Sequence, residues 1–156
     1  MKYFSIKELC ASQTATKLKI DNTPSNNVVY NLIKLIDVIL DPLREEYGKP
    51  ITVSSGYRSE KLNKAVGGSS TSQHRCLGRA AAADILVKDK DGSVDYTETR
   101  KLFDIIIKNK LPFDQIILEK GTLEKPLWVH VSYDETRNRR EVLFTKDGKT
   151  YQKLKI

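Results

Sequence analysis

The chain contains two histidines, and each lies in a stretch whose residue types suit metal chemistry. His74 precedes Asp84 across a segment rich in small residues, and His130 lies inside the apolar, alternating segment 128–133. Two imidazoles and one carboxylate are a common ligand set for catalytic zinc, which keeps a fourth position for water. The sequence therefore predicts a zinc hydrolase with His74, Asp84 and His130 as ligands and Zn²⁺ as its cofactor. A purely structural role for each histidine is the alternative.

A general base for such a hydrolase is predicted from strand alternation. Segments 113–119 and 128–133 both alternate as strands do. If they pair as a hairpin, Glu119 becomes a same-face diagonal neighbour of His130, at about 7–8 Å between Cα atoms. A carboxylate there can reach a water on the metal and act as general base. Glu124, in the connecting turn, is the second choice.

Arg58 lies in the turn that precedes the loop leading to His74, and it is the candidate for substrate binding. A guanidinium can hold a carboxylate through two parallel hydrogen bonds. The sequence therefore predicts that Arg58 contacts an anionic group of the substrate. The alternative is an ordinary surface arginine.

The hydrophobic periodicities predict one α+β domain over residues 1–156, with helices packed on a central antiparallel sheet. The clearest helix is 28–47, which Pro42 is expected to kink or divide and Gly48 to end. Turn and cap signals bound the other elements: a short helix at 6–10, a strand at 51–55, a helix capped by Ser59 and running to 66, a strand that starts at Asp84, a helix from Asp95 to 108, strands at 113–119 and 128–133, and a hairpin of 141–145 with 150–154 through an Asp147-Gly148 type I′ turn.

The composition favours an acidic partner. The formal net charge is +7 and the pI is about 9.3, which suits nucleic acid, an anionic lipid surface or an anionic cell envelope. No nucleic-acid-binding motif accompanies the charge, so nucleic acid is not expected. Cys10 and Cys76 have no metal-ligand spacing and are expected to be idle thiols. No apolar run suits a signal peptide or a membrane span, so we expect a protein that is made in the cytoplasm without a signal peptide and that works outside the cell only if something else releases it.

Short motifs distributed over residues 3–133 carry a family resemblance. They are Phe4-Ser5-Ile6-Lys7-Glu8-Leu9, Asp21-Asn22-Thr23-Pro24, Leu43-Arg44-Glu45, Ser54-Ser55-Gly56-Tyr57-Arg58-Ser59, Leu62-Asn63, Val66-Gly67-Gly68, Ser72-Gln73-His74 and Trp128-Val129-His130-Val131-Ser132-Tyr133. Together they resemble the M15 zinc peptidases, most closely a short single-domain branch found in bacteria and their phages. The resemblance implies a Hedgehog/DD-peptidase-like fold, bound Zn²⁺, and cleavage of peptidoglycan or muropeptide stem peptides. It leaves open a D,D-carboxypeptidase or an endopeptidase, including a phage or prophage endolysin. With this resemblance we expect a monomer that acts at the cell wall after release.

The resemblance also implies roles for individual residues. Arg58 matches an arginine that holds the substrate or the transition-state charge. Several branches carry an acidic residue three positions before the last ligand, where this chain has Leu127, so Glu119 keeps the role of base by strand geometry. The residues that match the first, second and third zinc ligands are His74, Asp84 and His130. Further substrate contacts are expected from Tyr57, Ser72, Gln73 and Trp128.

The loop between the first two ligands departs from the family pattern. The family spaces them as Ser-x-His-x-x-Gly-x-Ala-x-Asp, which is three residues shorter than His74 to Asp84. We expect the extra residues, one near Arg75 and two among Ala80–Ala83, to bulge outward, or else the alanines to form a helical turn. A ligand displaced by this expansion would leave a catalytically weak relative that acts as a cell-wall-binding module, which is the alternative function.

Overall fold

The strands form one six-stranded sheet, and the hydrophobic core lies between one of its faces and the helices that contact that face. The computed structural model describes residues 1–155. The helices are α1 (Ile6–Cys10), α2 (Gln13–Leu18), α3 (Asn26–Leu35), α4 (Asp41–Tyr47), α5 (Glu60–Ala65) and α6 (Tyr96–Lys108), with a π-helical segment at Ile36–Leu40 and a 3₁₀ turn at Gln73–Arg75. The strands are β1 (Thr52–Ser55), β2 (Ala80–Leu86), β3 (Gln115–Glu119), β4 (Trp128–Asp134), β5 (Glu141–Thr145) and β6 (Gln152–Lys153). The α+β class is as predicted from the sequence.

The sheet is mixed, so the prediction of a purely antiparallel sheet is wrong. The strand order is β1-β2-β4-β3-β5-β6, and β3 and β5 are parallel while the other neighbouring pairs are antiparallel. The reason is topological. Strand β5 runs opposite to β4, but both edges of β4 are already occupied by β2 and β3. It therefore takes the free edge of β3, which also runs opposite to β4.

The predicted helix over 28–47 is present, and it is divided at the position where proline requires it. Ser25 caps its start, and Gly48 ends it in the left-handed conformation at φ 75°. Pro42 lies in the first turn of α4, directly after the π-helical segment. Proline has no N–H and its ring crowds the preceding turn, so the wider π turn accommodates it. The side chains that this helical run buries completely are Leu32, Leu35, Ile36, Ile39, Leu40 and Leu43.

Strand β2 begins at Ala80 rather than at Asp84, so both expectations for the alanines are wrong: they neither bulge outward nor form a helical turn. Ala80 through Ile85 pair continuously with β4. Ala81 and Ala83 face the hydrophobic core, and side chains alternate between the faces of a strand. Two additional residues within a strand therefore leave Asp84 on the face opposite to the core.

The remaining extra residue is absorbed in the turn at 76–79, which α3 holds in place. Cys76 adopts the left-handed conformation at φ 52°. The Asn31 side chain is buried at 2% exposure and donates hydrogen bonds to the carbonyl oxygens of Cys76 and Gly78, both at 3.0 Å. Asn27, one helical turn earlier, donates to Gly78 at 3.2 Å from an exposed position. The longer loop is thus anchored to the core.

Two details of the predicted elements are wrong. The polar connector after α1 contains helix α2, capped by Ser12. The final hairpin pairs only Leu143 and Phe144 with residues of β6. Its turn is not type I′, because that type requires two successive positive φ angles and only Gly148 has one in residues 146–151.

No helix within residues 1–155 has both the length and the apolar character for crossing a bilayer.

Replacing Asn31 by Ala is expected to lower the free energy of unfolding by about 1–3 kcal/mol, because the change leaves carbonyl groups near the core without their donor. Urea denaturation at neutral pH in the presence of a chelator measures the loss. Asn27→Ala is the matched control on the same helix, and its expected effect is within about 0.5 kcal/mol. Equal effects of the two substitutions would contradict the anchoring role of Asn31.

Candidate metal centre

Three side chains converge on the open face of the sheet. Asp84 and His130 are direct neighbours in the pairing of β2 with β4, and the 3₁₀ turn brings His74 over them. Nε2 of His74 lies 3.1 Å from Oδ1 of Asp84 and 3.2 Å from Nδ1 of His130. Nδ1 of His130 lies 3.0 Å from Oδ1 of Asp84. The structure therefore brings together the three residues predicted as ligands, in a group that can hold a metal ion.

The orientation of His74 is set by a second hydrogen bond. Its Nδ1 lies 2.7 Å from the carbonyl oxygen of Gly56. A carbonyl oxygen only accepts, so Nδ1 carries the proton and Nε2 of the neutral ring presents a lone pair. Gly56 itself packs so closely that a Cβ there would lie 2.1 Å from the carbonyl oxygen of Leu9. Helix α1 thereby fixes the turn that orients the imidazole.

The donor set fits a zinc ion. The bare Nε2 of His74 faces a carboxylate oxygen of Asp84, and two acceptors at this distance require a cation or a shared proton between them. Ligand atoms 2.0–2.1 Å from a tetrahedral zinc are about 3.3 Å apart, close to the three separations in this group. Partners that fix the tautomer of a ligating histidine, as Gly56 does for His74, are usual around such metals.

The charge state of Asp84 suits a ligand. Burial favours its neutral form, but the two neighbouring imidazoles more than offset this, so the pKa of Asp84 lies well below its usual range. Its carboxyl group is therefore ionised at neutral pH and available to a cation. The side chain of His74 is only 4% exposed and that of Asp84 is 13% exposed, which limits competition from bulk water.

Glu119 lies next to this group, in the strand register expected from the sequence. It is paired with Trp128, and Ile117 is paired with His130, so Glu119 and His130 are diagonal neighbours. Burial and the negative charge of Asp84 raise the pKa of Glu119, while His130 and the indole of Trp128 oppose the shift. The indole N–H nevertheless makes no hydrogen bond of ordinary geometry with residues 1–155, although it is buried.

Arg58 provides a cation on the other side of the group. Its Nε is buried without a hydrogen-bond partner among residues 1–155, and its backbone N–H donates to the carbonyl oxygen of His74 at 2.8 Å. Burial lowers the pKa of the guanidinium, whereas Asp84 and Glu119 raise it. Because arginine stays protonated even when shifted, Arg58 presents an unsatisfied positive donor beside the candidate metal centre.

These groups line one cleft of about 760 Å³. Among the residues predicted to contact substrate, Ser72, Gln73 and Trp128 line it together with Arg58. Tyr57 does not line it and packs against the hydrophobic core. Glu124 lies elsewhere, in a groove beside α6. Sequence reasoning missed several residues of the lining, among them Gln115, Ile117, Arg139, Leu143 and Tyr151. Alternation with Glu119 along β3 was a signal for the first two.

A buried carboxylate connects the metal centre with the C-terminal strands. Asp114 is 2% exposed and accepts hydrogen bonds from the backbone N–H, Nε and Nη2 of Arg139 at 2.7–2.9 Å and from Nε2 of Gln73 at 2.7 Å. Burial opposes ionisation, but these donors keep the pKa of Asp114 lowered. Gln73 directly precedes His74, so this network holds the 3₁₀ turn against β3. The hydrogen bonds between Asp114 and Arg139 depend on the parallel pairing of β3 with β5, and no local sequence pattern predicts that pairing.

The comparison with protein families agrees with this geometry. The chain matches the family described as Peptidase M15 over residues 2–132, which is most of its 156 residues. The protein therefore belongs to the M15 peptidase family, whose members are metallopeptidases. No curated protein matched the chain. The matched region ends within β4, so β5 and the loops on either side of it, which complete the cleft, lie outside it.

Glu119→Gln is expected to stabilise the metal-free protein at neutral pH. The pKa of Glu119 is higher in the folded protein than in the unfolded chain, so folding favours the protonated carboxyl group. This contribution to the free energy of unfolding is complete below the unfolded-state pKa of about 4.3. It is lost as the pH rises through the folded-state pKa. Glutamine imitates the protonated form at every pH. With chelator present, the Tm of the variant should exceed that of the wild type at pH 7, and the difference should vanish near pH 3.5.

Glu124→Gln is the control for this comparison, because Glu124 is exposed in the turn before β4. It should leave the difference in Tm between the two pH values as in the wild type. A Glu119→Gln variant with the wild-type Tm at pH 7 would contradict the conclusion that burial and the negative charge of Asp84 disfavour the ionised form of Glu119.

Proposed function

We propose that this M15 peptidase is a zinc-dependent hydrolase of peptidoglycan stem peptides and that it has a Hedgehog/DD-peptidase-like fold. The observation that carries the proposal is the convergence of His74, Asp84 and His130 at 3.0–3.2 Å in a cleft that also contains Glu119 and Arg58. One chain supplies all of these groups, so we propose that the monomer is active. The three-residue expansion, which favoured a cell-wall-binding module at the sequence level, leaves the ligand set assembled.

Each residue has a distinct part in the proposed reaction. His74, Asp84 and His130 would hold the ion, and bound zinc supplies Lewis-acid activation of water and of a peptide carbonyl. Glu119 accepts a proton from the attacking water as the new C–O bond forms. It then gives that proton to the leaving amine nitrogen as the C–N bond breaks. The raised pKa of Glu119 in the metal-free protein makes its carboxylate a stronger base toward the attacking water.

Arg58 is proposed to stabilise negative charge on the substrate side. Its buried Nε has no partner among residues 1–155, and a donor held in that state favours an anionic group over water. Stem peptides of peptidoglycan carry carboxylates, and their cleavage develops charge on the carbonyl oxygen. Ser72, Gln73 and Trp128, which line the cleft, are proposed to contact the peptide around the scissile bond.

The surface charge supports the same substrate class. The formal net charge of +7 favours accumulation at an anionic cell envelope. We therefore propose that the protein acts at the cell wall, as an endolysin would.

The function is tested by metal analysis combined with muropeptide release. We expect one zinc per chain, and release of peptide fragments from purified peptidoglycan that stops with a chelator and returns with added zinc. Glu119→Gln should retain zinc and lose about 10²–10⁴-fold in turnover, because the general base is removed. Mass spectrometry of the soluble products and elemental analysis of the protein provide both measurements.

Glu124→Gln is the matched control and should keep wild-type turnover. If Glu124→Gln abolishes cleavage instead, the assignment of Glu119 is wrong. If the zinc-loaded wild type binds peptidoglycan without cleaving it, the protein is a cell-wall-binding module and the proposal fails.

Arg58→Lys should lower kcat/KM by about 10²-fold with zinc content unchanged, because lysine keeps the charge and loses the planar fork of donors. Steady-state kinetics on a stem-peptide substrate measures the loss. Arg137→Lys, at an exposed position in the turn after β4, is the control and should be silent. Loss of zinc from the Arg58 variant would show that Arg58 supports the metal centre rather than the substrate.

A further inference from the structure

A second cleft, of about 600 Å³, meets the first one at the metal centre. Arg58 and Asp84 line both clefts. The second cleft is bounded by β1, by the connection between α1 and α2 with the first turn of α2, and by α5. Its volume is within the range of pockets that bind small organic ligands. Two residues of the candidate site, Arg58 and Asp84, therefore border both clefts, while His74 and His130 line only the first.

The wall of the second cleft is an edge strand. Strand β1 is at the end of the sheet, and among the described residues it forms ladder hydrogen bonds only with β2. All four of its residues, 52–55, line the cleft. The free edge of a strand presents backbone N–H and C=O groups that an extended peptide can pair with. Such a peptide would lead directly to Asp84, which is paired with Ser55.

The chemistry of the lining suits an anionic, polar peptide. Hydroxyl groups come from Ser12, Thr14, Thr52 and Ser54, and Lys88 and Arg58 are cationic. Asp84 is the only acidic residue in the lining, and it is a candidate metal ligand. Tyr57, which is absent from the first cleft, lines this one. The sequence-based expectation that Tyr57 contacts substrate would thus be met on this side.

We infer that the second cleft binds the peptide on one side of the scissile bond as an extended strand along β1, while the first cleft binds the other side. This inference rests on the proposed peptidase function and makes the protein an endopeptidase. An enzyme that removes a single terminal residue needs room for only that residue on one side of its metal, whereas the second cleft extends along all four residues of β1. Residues on both sides contribute binding energy that is used in the transition state, so shortening the substrate on either side should reduce kcat/KM.

The inference is tested with purified zinc-loaded protein on two substrates. One is a cross-linked muropeptide dimer, and the other is the monomeric pentapeptide muropeptide, which offers only a single residue beyond its terminal bond. Mass spectrometry identifies the bond cleaved, and we expect internal cleavage of the dimer with a kcat/KM at least about tenfold higher than for any release of terminal D-alanine.

A variant that fills the second cleft provides the independent test. Gln13 is exposed at the start of α2 and lines the cleft, so Gln13→Trp places an indole in the path of the peptide. We expect kcat/KM on the dimer to fall at least about tenfold, with zinc content and Tm unchanged. Lys17→Trp is the matched control, because Lys17 is exposed on the same short helix and does not line the cleft.

The outcomes separate the inference from the proposed function. Release of terminal D-alanine alone, or equal kinetics for Gln13→Trp and Lys17→Trp, would overturn the endopeptidase inference and leave the zinc peptidase standing. Failure of the zinc-loaded wild type to cleave either substrate would overturn both.

Discussion

The hydrogen bond from Nδ1 of His74 to the carbonyl oxygen of Gly56 determines which nitrogen of that imidazole is free, and the candidate metal centre depends on it. With Nδ1 protonated, a lone pair on Nε2 points at Asp84 and His130. The carbonyl oxygen is in place because Gly56 packs against the backbone of Leu9 without room for a Cβ. The first short helix thereby contributes to a ligand set whose members come from much later in the chain. This explains why the turn at 54–59 carries a glycine between two functional segments.

The second constraint is the alternation of side chains in β2. Any change of length between His74 and Asp84 alters the site only if it moves Asp84 to the other face or displaces the turn before it. Two of the three additional residues are accommodated inside the strand as buried alanines, which preserves the face. The third lies in a turn that Asn31 anchors to the core. A lengthened loop therefore coexists with a closely spaced ligand group.

The regions outside the matched family segment shape the cleft rather than the metal centre. Strand β5 contributes Leu143, and the loops on either side of it contribute Arg139, Gly148 and Tyr151 to the wall opposite Arg58. Asp114 connects this wall to Gln73, beside the first ligand. One buried carboxylate thus contacts both the wall of the cleft and the 3₁₀ turn that carries His74.

The sequence by itself determined the α+β class, the long helix with its interruption at Pro42, the pairing of Glu119 with Trp128, and the membership of His74, Asp84 and His130 in one group. These follow from local periodicity and residue chemistry, because alternation assigns a strand's faces and few side chains can hold a metal. Only the tertiary structure decided that the four alanines are a strand, since small residues fit a helix, a loop and a crowded sheet equally well. It also decided that β5 lies parallel to β3, and that Asp114 meets Arg139 and Gln73. Those outcomes depend on which strand edges are already occupied and on contacts between distant segments, and no local pattern encodes them.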